Sequence, residues 1–344
     1  MRRTLLAIGT GALAVGLGAG PASACGGLIG RNGSVNLVRT TTLAAWHDGV
    51  EHYVTAFKFA GSGGQFGSII PLPGVPTSVE RGGDWTLQRL VREVAPPVPV
   101  FAAARAESAA AAPADVLLQT RIDALDITVL RGGGQAVGEW ATQNGFLLTP
   151  DTPEVLDFYA RRSPIFLAAK FDADAARQKG VALGDGTPVH LTIPTSNPWV
   201  PLRILGVGHA PAERIAADVF LLTDNKPALL PGDSAAGLTV ARQEPATTSL
   251  LTDLRTDKGM DWMPQSMWLS YLKVDALPAQ LTYDLAVDAT GAGRPSPVAA
   301  GLDAGAALPN KDGGTPVLPF AIAGAALAVV AVTGAGLLVA RSRR

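Results

Sequence analysis

Two histidines, His47 and His52, are the first residues whose types and spacing could do chemistry. They flank Asp48-Gly49, a dipeptide that favours a two-residue hairpin turn. In such a turn His47 faces Val50 and Ala45 faces His52, so both imidazoles fall diagonally on one sheet face, about 7–8 Å apart at the backbone. That reach permits a shared metal ion, but zinc takes three or four protein ligands and no third histidine or cysteine lies nearby in the chain. His47 and His52 are therefore weak metal candidates, and exposed hairpin polar residues are the favoured reading. No cofactor is expected.

A second constellation is Gly232-Asp233-Ser234, which is similar to the nucleophile segment of trypsin-like serine proteases, with His47 preceding it in the right order. That family has Gly-Gly after the serine, whereas Ala235-Ala236 follow here, and a Pro-Gly-Asp-Ser string is also an ordinary turn. The paired carboxylates Asp123 and Asp126 have nothing in the sequence that places them in a cleft. A pocket joining His190 or His209 to a serine and an acid would be needed to favour a hydrolase. Of the six tryptophans, Trp85 and Trp140 sit in helical patterns and are expected in the core. Trp199 and Trp262 fall between prolines and methionines in expected loops, and are the weak candidates for a binding surface. No phosphate loop, dinucleotide fingerprint, calcium loop or metallopeptidase helix is present. Catalytic residues stay unassigned.

The elements that must hold these residues begin after a processed N-terminus. Met1-Arg2-Arg3 precedes an uncharged stretch from Thr4 to Gly20, then Pro21 and Ala22-Ser23-Ala24, the small-x-small pattern of a signal peptidase site. Residues 1–24 are expected to be a signal peptide, with Ala24 and Cys25 flanking the cut. Cys25 is the sole cysteine, so no internal disulfide can form. Small residues before a cysteine are also similar to a lipobox, although Ala22 stands where leucine is usual; a lipid on Cys25 is the alternative.

At the other end, Val317 to Ala340 is 24 residues without a charge, about 36 Å as a helix against a hydrocarbon core of about 30 Å. Arg341, Arg343 and Arg344 follow, which places a 341–344 tail in the cytoplasm and the body outside, anchored in the cell membrane by one transmembrane helix. The tail resembles a sortase signal, but Leu308-Pro309-Asn310-Lys311-Asp312 has lysine where threonine is cleaved, which argues against wall anchoring.

Removing the ends leaves residues 25–316 with 23 of the 28 basic side chains and all 29 acidic ones, a net charge of −6. An acidic ectodomain does not attract nucleic acid through its overall field. Within it, Val35–Trp46 and Val50–Phe59 read as a hairpin, Phe66–Leu72 as a third strand, and Trp85–Val94 as a helix capped by Asp84. An Ala- and Pro-rich segment, 95–113, reads as a mobile insertion. Ile122–Leu130 is expected as one strand, Gln135–Thr142 and Thr152–Arg162 as helices, and Phe166–Asp172, Val189–Pro194, Leu202–Gly208, Asp218–Thr223, Met267–Val274 and Leu281–Asp288 as further strands. The expected class is α+β, a mainly antiparallel β ectodomain over 25–290 with a few helices and one C-terminal transmembrane helix. A Gly-, Ala- and Pro-rich stalk is expected over 291–316.

Cys25-Gly26-Gly27, the strand pair behind it, Phe66-x-x-Ile69-Ile70-Pro71-Leu72-Pro73, Trp140-x-x-x-Asn144-Gly145-Phe146, Phe166-Leu167-Ala168-Ala169-Lys170-Phe171 and Pro201-Leu202-Arg203 together resemble the bacterial domain-of-unknown-function 2330 family. The resemblance covers roughly residues 25–290 and implies an exported or membrane-tethered protein without an established activity. The expectation is a non-enzymatic cell-envelope binding or structural module, with an envelope protein or glycan as partner. The alternatives are an envelope hydrolase with an unrecognised site and an accessory subunit of a membrane complex.

Overall fold

The computed structural model describes residues 27–30, 36–60, 66–95, 115–146, 148–172, 186–233 and 235–302. The expected signal peptide, Cys25, Ser234, the expected insertion from residue 96 onward, the expected transmembrane helix and the sortase-like tail lie outside the described residues. No helix among the described residues is long and apolar enough to cross a membrane.

In chain order the strands are β1 (Gly27–Gly30), β2 (Asn36–His47), β3 (Val50–Ala60), β4 (Phe66–Pro71), β5 (Ser78–Arg81), β6 (Asp115–Ile122), β7 (Leu125–Arg131) and β8 (Ile165–Phe171). They continue as β9 (Val189–Pro194), β10 (Trp199–Val200), β11 (Ile215–Thr223), β12 (Ala228–Leu230), β13 (Leu238–Pro245), β14 (Trp268–Ala276) and β15 (Leu285–Asp288). Among the described residues four helices join them: α1 (Thr86–Val94), α2 (Gly134–Gln143), α3 (Thr152–Ala160) and α4 (Thr248–Arg255). A seven-stranded sheet runs β13-β14-β11-β2-β3-β9-β5, a five-stranded sheet β1-β4-β8-β7-β6, and a three-stranded sheet β10-β15-β12. Among the described residues all strand pairings are antiparallel except β2 with β11, so the body is α+β with one parallel junction there.

Alternation along the strands explains the layering. On β8, Leu167 and Ala169 enter the large central core with Ala44, Tyr53, Leu191 and Val219 of the seven-stranded sheet, while Phe166 and Ala168 join Trp140, Val155 and Leu156 of α2 and α3. On β2, Ala44 faces the central core, whereas Leu43 and Ala45 pack with Leu90 of α1 and Leu251 of α4. Period-two side-chain placement thus puts both sheets face to face and leaves each outer face to a helix pair.

The β2–β3 hairpin forms with the expected register, His47 opposite Val50 and Ala45 opposite His52. Asp48 and Gly49 both have positive φ, 48° and 80°, the requirement of a type I′ turn. Four expectations differ. Ile122–Leu130 is not one strand but the end of β6, a turn with Asp123 at φ 55°, and most of β7. Leu202–Gly208 is not a strand: Asp284 accepts the Leu202 and Arg203 N–H groups and holds a 3-10 turn at Arg203–Gly206. Asp84 does not cap α1 but pairs with Arg81. The cap comes from Asp257, whose Oδ2 accepts Trp85 N at 3.1 Å, Thr86 N at 2.7 Å and Thr86 Oγ1 at 2.7 Å. Gly83 makes room for it, since a Cβ there would lie 2.1 Å from that carboxyl. Finally, the first part of the expected stalk packs on the body: Ala299 and Ala300 are buried against the α2–α3 layer, and Asp284 N donates to Ala300 O at 3.0 Å.

Candidate functional site

One rim of the seven-stranded sheet collects His47, His52, His190 and Trp262 from β2, β3, β9 and the loop ahead of β14. Pairing explains the convergence. His52 lies opposite Thr192 and Val54 opposite His190, so the two imidazoles project diagonally from adjacent strands on one face. Their nitrogens meet, His52 Nδ1 to His190 Nε2, at 3.1 Å. Trp262 stacks flat on the His52 ring with centroids 3.7 Å apart and planes 6° from parallel, and its centroid is 6.4 Å from that of His47. The loop carrying Trp262 comes in close because Gly259, at φ +77°, has no side chain; a Cβ there would sit 3.0 Å from His190 Nδ1.

The rim is dry on one side and charged on the other. His190 is buried and His52 half-buried. Burial, reinforced by His190 and His47, pulls the His52 imidazole down to about 3. Burial also lowers His190, opposed by the nearby charges of Glu80 and Asp261. Both rings are therefore neutral at physiological pH. His47 points to the wet side: its Nδ1 is 2.7 Å from Asp224 Oδ1 and its Nε2 3.4 Å from Asp48 Oδ2. His47, Asp48 and Asp224 place one ligand atom each within 4.8 Å of one another, a half-exposed imidazole with two exposed carboxylates. The Trp262 Nε1–H is enclosed and has no hydrogen-bond partner among the described residues.

Directly beneath, on the opposite face of β3, Glu51 is wholly buried with Trp46 and Ile193 as its cross-strand neighbours. Neither carboxyl oxygen has a hydrogen-bond partner among the described residues. Desolvation raises its pKa to about 8, so it is mostly protonated at neutral pH.

The expected site residues meet different fates. His47, His52 and Trp262 come together. Trp199 does not join them and is no surface residue: it is 4% exposed, forms β10 against β15, and stacks on Tyr159 at 5.7 Å. The prolines around it end the loop and do not expose the ring. Trp140 is in the core as expected, and Trp85 is half-buried. His209 pairs with Glu213 at 3.0 Å, and no serine hydroxyl bonds an imidazole among the described residues. Asp233 Oδ1 accepts Val240 N, the turn use of that motif. Asp123 accepts from Arg81 and Thr187, and Asp126 from Arg121, so the two carboxylates serve separate structural bonds. His190 and Asp224 were not foreseen as partners because each meets its histidine only through long-range strand pairing.

Residues 19–226 match the family described as an uncharacterized protein conserved in bacteria, DUF2330. The chain belongs to this family. The DUF2330 match takes in His47, His52, His190 and Asp224 and stops before Trp262. No curated protein matches the chain. The crystal structure of baculovirus P35 aligns over 74% of this chain and 97% of its own at 9% identity and a TM-score of 0.37, too slight a likeness to carry weight.

Proposed function

We propose that this DUF2330 protein is a non-enzymatic binding module exported across a bacterial cell membrane and held at its outer face by the 317–340 helix. Its recognition surface is the His47–His52–His190–Trp262 rim, and its partner is an envelope protein or glycan. The observation that supports a binding role is the assembly of three imidazoles and an indole from four chain segments near the β2–β3 turn of the seven-stranded sheet. Among the described residues the polar contacts of those imidazoles run to each other and to carboxylates, which supports a binding role. Large exposed apolar side chains among the described residues are Val75, Val91, Leu117 and Val298, each on a different element, which weighs against the flat hydrophobic face of a membrane-complex subunit.

The test has two arms. Intact-mass analysis of membrane extracts together with protease shaving of whole cells is expected to give a chain starting at Cys25 whose body is removed from outside; added lipid mass would identify Cys25 as acylated. A mass retaining Met1, or a protected body, overturns the export reading. Full-length protein in detergent is then sedimented with purified wall sacculi and crosslinked in intact cells. Loss of both glycan and protein capture in Trp262→Ala, with unchanged thermal unfolding, is expected; capture equal to wild type overturns the assignment of the rim.

A further inference from the structure

We propose that Glu51 is a proton-operated latch on the seam between β3 and β9: with its proton the seam closes and the rim assembles, and without it the seam opens and the rim comes apart. The inference rests on the rim being a binding surface and names how that surface is regulated. The seam carries both groups on adjoining rungs. Glu51 lies opposite Ile193 on the inner face, while His52 lies opposite Thr192 on the outer face and reaches across to His190. Whatever separates β3 from the end of β9 therefore also stretches the 3.1 Å contact between His52 and His190.

The end of this seam is built as a hinge. Glu51 sits one rung in from the last pair, Val50 with Pro194, and Asp48, Pro194, Ser196 and Asn197 at that end are exposed. Pro194 has no N–H to give the ladder. The outer tie is Thr195, whose N donates to Gly49 O at 3.0 Å and whose O accepts from Trp46 Nε1 at 3.0 Å. Few bonds at an exposed sheet end open at low cost. The 73–76 loop closes over the same end because residue 74 is glycine; a Cβ there would lie 3.0 Å from Pro194 O and 3.3 Å from Ile193 Cγ2.

Inside this closure the two states of the carboxyl differ sharply. Neutral, Glu51 is a tolerable core group; ionised, it is a buried charge without a counter-charge. The neighbours on its face are Tyr53 of β3, Trp46 and Ala44 of β2, and Ile193 and Leu191 of β9, of which Tyr53 alone can titrate. The facing five-stranded sheet gives Ile70, Ile127 and Leu167 to the same core. Burial alone thus raises the carboxyl to about 8. On the outer face stand His47, His52 and His190 with Asp48, Asp224, Glu80 and Asp261. Burial keeps His52 and His190 uncharged above about pH 6.5, so neither opposes the latch there.

Hydrogen exchange with mass spectrometry tests this on full-length protein in detergent, in peptides spanning residues 46–54 and 189–197, after division by the intrinsic exchange rate at each pH. Glu51 holds its proton to about 8 when closed and to 4.5 when open, and His52 titrates in the opposite sense below pH 6.5. The opening constant is therefore expected to rise about tenfold from pH 6.5 to pH 8 and then to level off. Glu51→Gln keeps the shape and cannot ionise, so its constant is expected to stay within about twofold over that range. An unchanged wild-type constant, or the same rise in Glu51→Gln, overturns the latch. If Glu51→Gln does not fold, infrared difference spectra of wild type decide: loss of a protonated-carboxyl band together with the rise in exchange supports the latch, and no such band at pH 6.5 overturns it. Exchange is read with no partner present, so its failure removes the latch alone, whereas capture by Trp262→Ala equal to wild type removes the rim as the binding surface and leaves the opening of the seam as measured.

Discussion

Among the described residues two carboxyl groups, those of Glu51 and Asp284, are wholly buried, and the fold treats them in opposite ways. Asp284, at the entrance to β15, accepts Tyr159 Oη and Leu202 N at 2.7 Å and Arg203 N at 3.0 Å on one oxygen, and forms an ion pair with Arg162 through the other. Arg162 also donates to Ala299 O and lies 4.2 Å over the Phe158 ring and 4.9 Å over the Trp199 ring. Glu51 has the same burial and no hydrogen-bond partner among the described residues. The Asp284 knot ties α3, the 202–206 turn and the 299–302 segment together, and its polar capacity is nearly spent inside the fold. The end of the β2–β3 hairpin keeps capacity unspent on both faces, with Glu51 below and the histidines and the Trp262 N–H above. Packing alone does not require such groups there, because an apolar residue of similar shape avoids their desolvation cost. The first region reads as architecture and the second as the site.

The knot should give the largest effect when cut. Asp284→Ala leaves the Arg162 guanidinium, 6% exposed, and two backbone N–H groups without their acceptor. Removing one member of a buried pair costs about 3–5 kcal/mol. Chemical denaturation should show this as a lowered midpoint with the slope unchanged. A loss under about 1 kcal/mol would mean that water reaches the knot and would erase the contrast with Glu51.

The hairpin end should instead be read by pH, because its two faces titrate with opposite sign. Glu51 is raised from 4.5 to about 8, so between those values the folded state holds the extra proton and stability falls as pH rises. His52 is lowered from 6.5 to about 3, so in that window the unfolded state holds the extra proton and stability rises with pH. Wild type should therefore be most stable between about pH 5 and 6.5. Glu51→Gln should remove the alkaline decline, a gain of about 2–4 kcal/mol at pH 8 and little at pH 5. His52→Gln should flatten the acid branch by about 1 kcal/mol, discounted because the ring is partly solvated and coupled to His190 and His47. An unchanged alkaline branch in Glu51→Gln would show that the glutamate has a partner in solution.

What could be read from the sequence divides along the same line. The hairpin register was legible, because Asp48-Gly49 dictates the turn and the turn dictates which residues face each other. That placed His47 and His52 on one face. It could not supply His190, which is 138 positions from His52 and arrives only when β9 pairs with β3. Nor could it place Asp257 at the head of α1, where a local residue, Asp84, offered the same chemistry. Trp199 was misplaced because prolines signal a loop whether or not the ring between them turns inward. Glu51 carried an overlooked signal. It shares a face with Tyr53 on a strand whose other face carries Val54, and a strand apolar on both faces leaves a charged residue no solvent.

Smaller effects separate the dry half of the rim from its wet half. Gly259→Ala puts a side chain at φ +77° and 3.0 Å from His190 Nδ1, and should cost about 1 kcal/mol while displacing the loop that presents Trp262. Its tryptophan emission should shift to the red as the indole leaves His52. On the wet side, the His47–Asp224 contact at 2.7 Å joins side chains 28% and 29% exposed. Pairs so open contribute about 0–1 kcal/mol and are screened by salt. Asp224→Asn should therefore change stability by less than about 0.5 kcal/mol, and any change should vanish in about 1 M salt. A larger, salt-resistant loss would place His47 and Asp224 with the buried pair as one continuous network, and the separation between a dry histidine pair and a wet surface triad would fall.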